Sequence, residues 1–248
     1  MKRWRLGLMF ALSYFTLLPV PVGKNDDFSD PRILGAAALT LPLVGAVLAL
    51  LTWLLYMPLA PLGWLGAVAA ALAYPMLYGF IHTEALSDVA DAIYARHSGK
   101  DAYDVIKDPH TGAMGVLWMV SLLALKTAAL AYVLSHHLFD LFLITVLASR
   151  TGLAVLFATQ TFRSSFVRHI RQGLKPFDVA ILTAGLGIIV AALWGGYGAL
   201  TYASGMAVAY LVAKRIGGML GFLNGDVLGA TLEITEALML LMGARLWL

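Results

Sequence analysis

Long apolar runs alternate with polar breaks along the chain. They fall near residues 33–56, 62–81, 113–134, 138–160, 178–196, 198–213 and 227–247. Each approaches the ~20 residues that a helix needs to cross a bilayer. The pattern predicts an all-α fold: one polytopic membrane helix bundle over residues 1–248, with about seven transmembrane helices. The first 22 residues have a basic start (Lys2, Arg3, Arg5) and an apolar stretch. Pro19-Val20-Pro21 follows, where a signal peptide would carry a small-residue cleavage site. This stretch is therefore expected to stay as an interfacial or membrane-entering helix.

The polar breaks are unequal. The longest is His82 to Thr111; a second carries Arg163, Arg168, Arg171 and Lys175; a third begins at Lys214-Arg215. Alternating the spans puts all three on one side, together with Lys2, Arg3, Arg5, Lys24 and Arg32. The other side receives short turns near Pro58 to Pro61, Ser135 to His137 and Gly195 to Gly198, none with a Lys or Arg. Arg245 is the exception. By the positive-inside rule, residues 84–110, 161–176 and 214–226 face the cytoplasm, and the location is the cell inner membrane.

Composition agrees. Hydrophobic residues are 60% of 248 and charged residues 12%, against ~25% charged in soluble domains. That excludes an ordinary soluble enzyme. There is no cysteine, so no disulfide or thiolate metal site is available. The net charge of +3 suits the anionic headgroups of the lipid bilayer, and no aromatic-interleaved basic patch points to nucleic acid. A homo-oligomer stays open.

Two acidic stripes break the apolar pattern. Glu84, Asp88 and Asp91 form one; Asp226, Glu233 and Glu236 form the other. Residues three, four or seven apart share a helix face. Asp226 is placed to cap the last helix. Glu233 then lies ~10 Å along that helix and Glu236 ~15 Å, near mid-bilayer. An unpaired acid there costs ~2.5–3.5 kcal/mol on insertion scales. The two stripes are expected to meet across the bundle and hold divalent cations, because Mg²⁺ is commonly bound by one or two carboxylates plus substrate phosphate. The bland alternatives are a solvated loop for the first stripe and a salt-bridged Glu236 that joins helices. Two cations also fall inside spans, Lys126 and Arg150. Lys126 is expected to pair with the acids. Arg150 has two readings, neutralising an acid or binding a substrate phosphate. The segment Lys107-Asp108-Pro109-His110-Thr111-Gly112 adds a further carboxylate and two phosphate contacts beside the first stripe.

Several of these blocks occur in a familiar order: Phe15-Thr16-Leu17-Leu18-Pro19-Val20-Pro21, the His82 to Asp91 stripe, Lys107-Asp108 to Gly112, Ser149-Arg150, and Asn224-Gly225-Asp226-Val227-Leu228-Gly229-Ala230 with Glu233 and Glu236. The chain resembles the cobalamin synthase (adenosylcobinamide-GDP ribazoletransferase) family over nearly its whole length. It departs at Glu84, usually aspartate there, at Ala85 and Ala92 for glycines, at Leu17 for an arginine, and at Pro109-His110 for Ser-Arg. The resemblance implies transfer of the cobinamide-phosphoryl group of adenosylcobinamide-GDP to α-ribazole or its 5′-phosphate, with release of GMP and with Mg²⁺ as cofactor. Carried onto this sequence, it implies metal ligands among Glu84, Asp88, Asp91, Asp226 and Glu233. Asp108 or Glu84 would accept a proton. Substrate contacts would come from His82, Arg96, Lys107, His110, Arg150 and Glu236.

Two other readings are open. Asp88-x-x-Asp91-Ala92-x-x-Ala95-Arg96 matches the first half of a CDP-alcohol phosphotransferase motif, although the later glycine and paired aspartates are missing. An ion-coupled transporter would also use buried acids, but no paired Gly/Pro-broken helices or inverted halves are visible.

Overall fold

The computed structural model describes residues 2–23 and 26–247; Met1, Lys24, Asn25 and Leu248 lie outside the described residues. The expectation for Lys24 therefore has no structural counterpart. Among the described residues every regular element is a helix. They are α1 (Lys2–Phe15), α2 (Pro31–Leu59), α3 (Trp64–Leu77), α4 (Ile81–His97), α5 (Ala102–Ile106), α6 (Ala113–Ser135), α7 (Phe139–Thr159), α8 (Ser165–Gly173), α9 (Pro176–Leu220) and α10 (Gly225–Leu246), with a 3-10 turn, Ala60–Leu62, between α2 and α3.

Five of these, α2, α6, α7, α9 and α10, are long and apolar enough to cross a membrane, and the α3–α4 pair makes a sixth if its two bent halves are counted together. Straight, the 45 residues of α9 would reach roughly 67 Å, more than twice a hydrocarbon core. The helix breaks at Gly195, where φ is 64° and ψ is −153°, a conformation that side chains with a Cβ avoid. The two arms fold back on one another. Tyr202 Oη donates to the Thr183 carbonyl at 3.5 Å, and Gly187 faces the Tyr202 ring. The runs at 178–196 and 198–213 are these two arms.

Contacts sort the loops to two ends. At one end Trp53 packs on His137 and Phe139. At the other, the Arg163 N–H donates to the Leu223 carbonyl at 2.7 Å, and the Arg163 guanidinium lies 3.8 Å from the centre of the Tyr103 ring. Gly173 approaches the Pro31 backbone so closely that a Cβ would overlap the carbonyl. The segments 98–112, 160–175 and 221–224 thus share an end with the start of α2.

One sequence expectation holds and another changes. Residues 82–97 are a helix, α4, as the spacing of the first stripe implies, and not a solvated loop. Its acids lie on one side, while Leu86, Val89 and Ala92 are buried against Val227 and Ala230 of α10 and Ile216 and Leu220 of α9, and Ala85 is buried against Gly229. The apolar run 62–81 stops early. Gly79 and Phe80 take positive φ of 61° and 57°, and α4 leaves α3 at 79°. The N-terminal stretch does form a helix, α1. Its 14 residues are too few to span, and it lies against α2, with Gly7 allowing close approach to Ala36 and Ala37.

The sorting of loops is testable because the natural chain has no cysteine. Cysteines at the exposed positions Ser98 and Gln172 should react with a membrane-impermeant maleimide from the same side, and one at Leu62 from the opposite side only. Labelling of all three from one side would contradict the arrangement.

Candidate active site

The two acidic stripes come together, but they divide by depth. At the end of the bundle that carries the 98–112 and 221–224 segments, Glu84 and Asp88 of α4 face Asp226 of α10. These three carboxylates lie close enough for their charges to oppose one another, and Asp91 adds to the repulsion on Asp88. Small residues allow the approach: a Cβ on Gly229 would come within 2.7 Å of the Ala85 Cβ. The cap of α10 is Asn224, not Asp226. Its side chain accepts from the Val227 N–H at 3.0 Å and donates to Asp226 at 2.7 Å. Asp226 sits in the first turn, where the helix dipole favours an anion.

Asp91 is turned to a different task. Its two carboxylate oxygens accept from the Gly112 and Gly115 N–H groups at 2.6 and 2.7 Å, so α4 caps α6, which has no side-chain cap of its own. Glycine is needed at both positions because a Cβ on either would overlap the Asp91 carboxylate.

Glu233 and Glu236 belong to a buried network below this mouth. Lys126 of α6 bonds Glu233 at 2.8 Å and Glu236 at 2.7 Å. Arg150 of α7 pairs with the other oxygen of Glu236. The Tyr78 hydroxyl donates to Glu233 at 2.5 Å and Tyr74 to Glu236 at 3.0 Å. Thr83 and Ser149 complete the shells of Glu233 and Glu236 at 3.3 and 3.1 Å. All four charged residues are no more than 3% exposed. Two positive and two negative charges leave the set neutral, which is how charge is tolerated at membrane depth. Gly45 of α2 makes room for Arg150, whose guanidinium stem would be struck by any Cβ there.

The other expected residues lie around the rim or in the wall. Arg96 donates to the Met219 carbonyl in the last turn of α9, a site that suits a cation. Lys107 lies 4.0 Å from the centre of the Tyr103 ring. Asp108 is exposed and accepts from the His110 backbone N–H at 3.0 Å, with the His110 ring at 2.7 Å. These hydrogen bonds, the backbone one first, hold its pKa below the usual carboxylate value, which makes it a weaker proton acceptor. His82 stacks on Phe15 with ring centres 5.8 Å apart and lines a cavity of about 140 Å³ that runs from Asp226 down to Arg150.

Sequence reasoning missed the phenols of Tyr74 and Tyr78. Their i,i+4 spacing inside an apolar run was the available signal: buried hydroxyls need partners. The stacking of Arg163 on Tyr103, by contrast, joins loops distant in sequence and left no local signal.

Among the described residues no three His, Asp or Glu side chains converge tightly enough to form a complete metal cage. The mouth does offer hard oxygen donors with no cation paired to them among the described residues, a set suited to an ion shared with a phosphate.

Fold and site define a polytopic membrane protein with a carboxylate-lined mouth above a neutral buried ion-pair network. Residues 7–244 match the family model described as cobalamin-5-phosphate synthase, and the chain belongs to that family. It is 28% identical to the adenosylcobinamide-GDP ribazoletransferase of Brevibacillus brevis, over 97% of this chain and 98% of the relative. It is 32% identical to the protein of that name from Stutzerimonas stutzeri, over 95% and 96%, and 28% identical to one from Clostridium perfringens, over 95% and 96%. No solved structure matches it.

Removing one partner from a buried ion pair strands the other, at a cost of roughly 3–5 kcal/mol. Lys126→Met should therefore lower the thermal unfolding midpoint in detergent sharply. Adding Glu233→Gln should recover part of the loss. Strictly additive losses in this cycle would show that the two side chains are not coupled.

Proposed function

We propose that the chain is an adenosylcobinamide-GDP ribazoletransferase of the cell inner membrane, with its carboxylate mouth facing the cytoplasm. The observation that carries this reading is the apposition of Glu84, Asp88 and Asp226 from two distant stretches of sequence, in a chain matched to the family from residue 7 to 244. The sidedness rests on the cation-rich loops that share the end of the mouth.

The reaction joins α-ribazole or its 5′-phosphate to adenosylcobinamide-GDP. A ribose hydroxyl oxygen of the acceptor attacks the phosphorus attached to cobinamide. The bond from that phosphorus to the bridging oxygen breaks, and GMP leaves with the electron pair. The hydroxyl proton passes to a carboxylate at the mouth. Glu84 is exposed and free of ion pairs among the described residues, which suits it to this better than Asp108, whose proton affinity is reduced by His110.

Asp88 and Asp226, with Glu84, are the residues that would hold Mg²⁺. When bound, the ion would offset the pyrophosphate charge and stabilise GMP as a leaving group. Asp91 contributes indirectly by fixing α6 against α4. Arg96, Lys107 and His110 lie at the rim, where a nucleotide phosphate would enter. Arg150 and Glu236 set the floor. The long apolar helices support a membrane setting, in which a partly polar corrin substrate would meet the enzyme at the interface.

Purified protein in lipid vesicles should release GMP from adenosylcobinamide-GDP only when α-ribazole or its 5′-phosphate is present. EDTA should stop release and added Mg²⁺ restore it. Asp88→Asn and Asp226→Asn should each lower kcat at least about 100-fold without moving the unfolding midpoint by more than a few degrees. GMP release that ignores the acceptor, or full activity in both variants, would defeat the assignment.

A further inference from the structure

The cavity beside the carboxylate mouth has a composition unlike the mouth itself. Its walls come from Phe15 of α1, Leu41 and Val44 of α2, Leu153 and Phe157 of α7, and Phe166 of α8. Its polar lining is sparse: Asp226 at the opening, the exposed Tyr14, His82 on the wall and Arg150 at the floor. Arg150 is already engaged by Glu236 and by the Tyr74 hydroxyl at 3.0 Å. His82 is different. It stacks on Phe15 and tilts against Tyr78, and among the described residues its ring nitrogens make no hydrogen bond. An imidazole nitrogen can donate or accept, according to its tautomer.

We propose that this cavity seats the flat, mainly apolar base of the acceptor nucleoside, with His82 bonding a ring nitrogen and the ribose left at the Asp226 opening. The assignment rests on the transferase reading above and names the acceptor's place within that site.

Size and polarity select the occupant. An apolar cavity of about 150 Å³ accommodates benzene, so a volume of about 140 Å³ that opens at the mouth is on the scale of an aromatic base and far below that of a corrin macrocycle. Guanine carries several donors and acceptors, and below the opening His82 is the uncommitted group that would meet them, the Tyr14 hydroxyl belonging to an exposed side chain; seating guanine here would strand polar groups at a cost of several kcal/mol. An apolar base with one ring nitrogen leaves nothing stranded. Its aromatic faces meet Phe15, Phe157 and Phe166, side chains that favour offset or edge contacts with rings. A base held inside also places the sugar hydroxyls beside Asp226 and Glu84, where the proton must be taken.

The experiment uses the full chain in lipid nanodiscs, with α-ribazole and adenosylcobinamide-GDP as separate probes. Leu153→Trp and Val44→Phe fill the cavity from two different helices. Each should raise KM for α-ribazole at least tenfold while leaving KM for the GDP donor within twofold. His82→Phe keeps the stack on Phe15 and removes the hydrogen bond; it should raise the acceptor KM in the same selective way. Equilibrium dialysis of α-ribazole without donor should show the same weakening, which separates seating from turnover.

An unchanged acceptor affinity in a folded, filled variant would overturn the proposal, as would a rise confined to the donor. If a filled variant fails to fold, His82→Phe decides on the same criteria. Should the wild-type chain bind α-ribazole, lose it on filling, yet release no GMP, the base seat stands and the transferase reading falls. Transfer that proceeds with no effect of filling has the opposite meaning.

Discussion

Lys126, Arg150, Glu233 and Glu236 are the charges on which the bundle turns. They come from α6, α7 and α10, and α3 adds Tyr74 and the residue after its end, Tyr78. Each acid would be costly alone at this depth, and each cation equally so. Together they are neutral, and each charged group is hydrogen-bonded to a partner from another helix. A buried ion pair often adds little net stability compared with apolar side chains, yet losing one member is severely destabilising. The network is therefore best understood as a specification device. Only one register of α10 against α3, α6 and α7 satisfies every group, and any slip leaves a charge unpaired in lipid.

That register determines what happens one layer up. Asp226 lies seven residues before Glu233, two turns along the same face of α10. Fixing Glu233 on Lys126 and Tyr78 fixes where Asp226 emerges. Thr83 bonds Glu233 as well, so the start of α4 is tied to the same point and Asp88 follows. The difference between the layers is one of charge balance. The lower acids have cations; Glu84, Asp88 and Asp226 have none within ion-pair distance among the described residues. Opposed carboxylates without counterions store repulsion that a bound cation would relieve. This argues against the ion-coupled transporter, whose coupling acids must change their protonation or ion occupancy during the cycle, whereas the deepest acids here are each paired with a fixed cation.

Much of this was legible in the chain. The apolar runs mark the spans because lipid tolerates few exceptions, and the i,i+4 and i,i+7 spacing of acids marks their faces. The pairing of Lys126 with acids followed from energetic necessity. Other features were hidden because they depend on partners remote in sequence. Spacing puts Asp91 with Asp88, but only the arrival of Gly112 and Gly115 turns it into a cap. Hydropathy alone leaves 82–97 as a polar break, because a helix that buries Ala and Val on one side and shows acids on the other has little mean hydropathy; only the spacing of its acids marks it as helical. Asn224 displaces Asp226 as the cap because the turn at Gly221, with φ of 85°, delivers Asn224 in the extended conformation that a cap requires.

The depth ordering also explains how one bundle can handle chemically unlike groups. α10 contributes to all three layers: its first turn carries Asp226, its middle lines the cavity with Leu228 and Leu232, and its next turns carry Glu233 and Glu236. α4 repeats the pattern in reverse, with His82 and Thr83 deep and Asp88 and Asp91 towards the opening. Because the two helices run past each other with Ala85 against Gly229, a polar surface and an apolar chamber are built by the same pair of elements. Rotating either helix by one residue, about 100°, would carry the carboxylates off the mouth and His82 out of the cavity wall together. The buried ion pairs thus constrain the mouth and the chamber jointly, and neither can drift without the other.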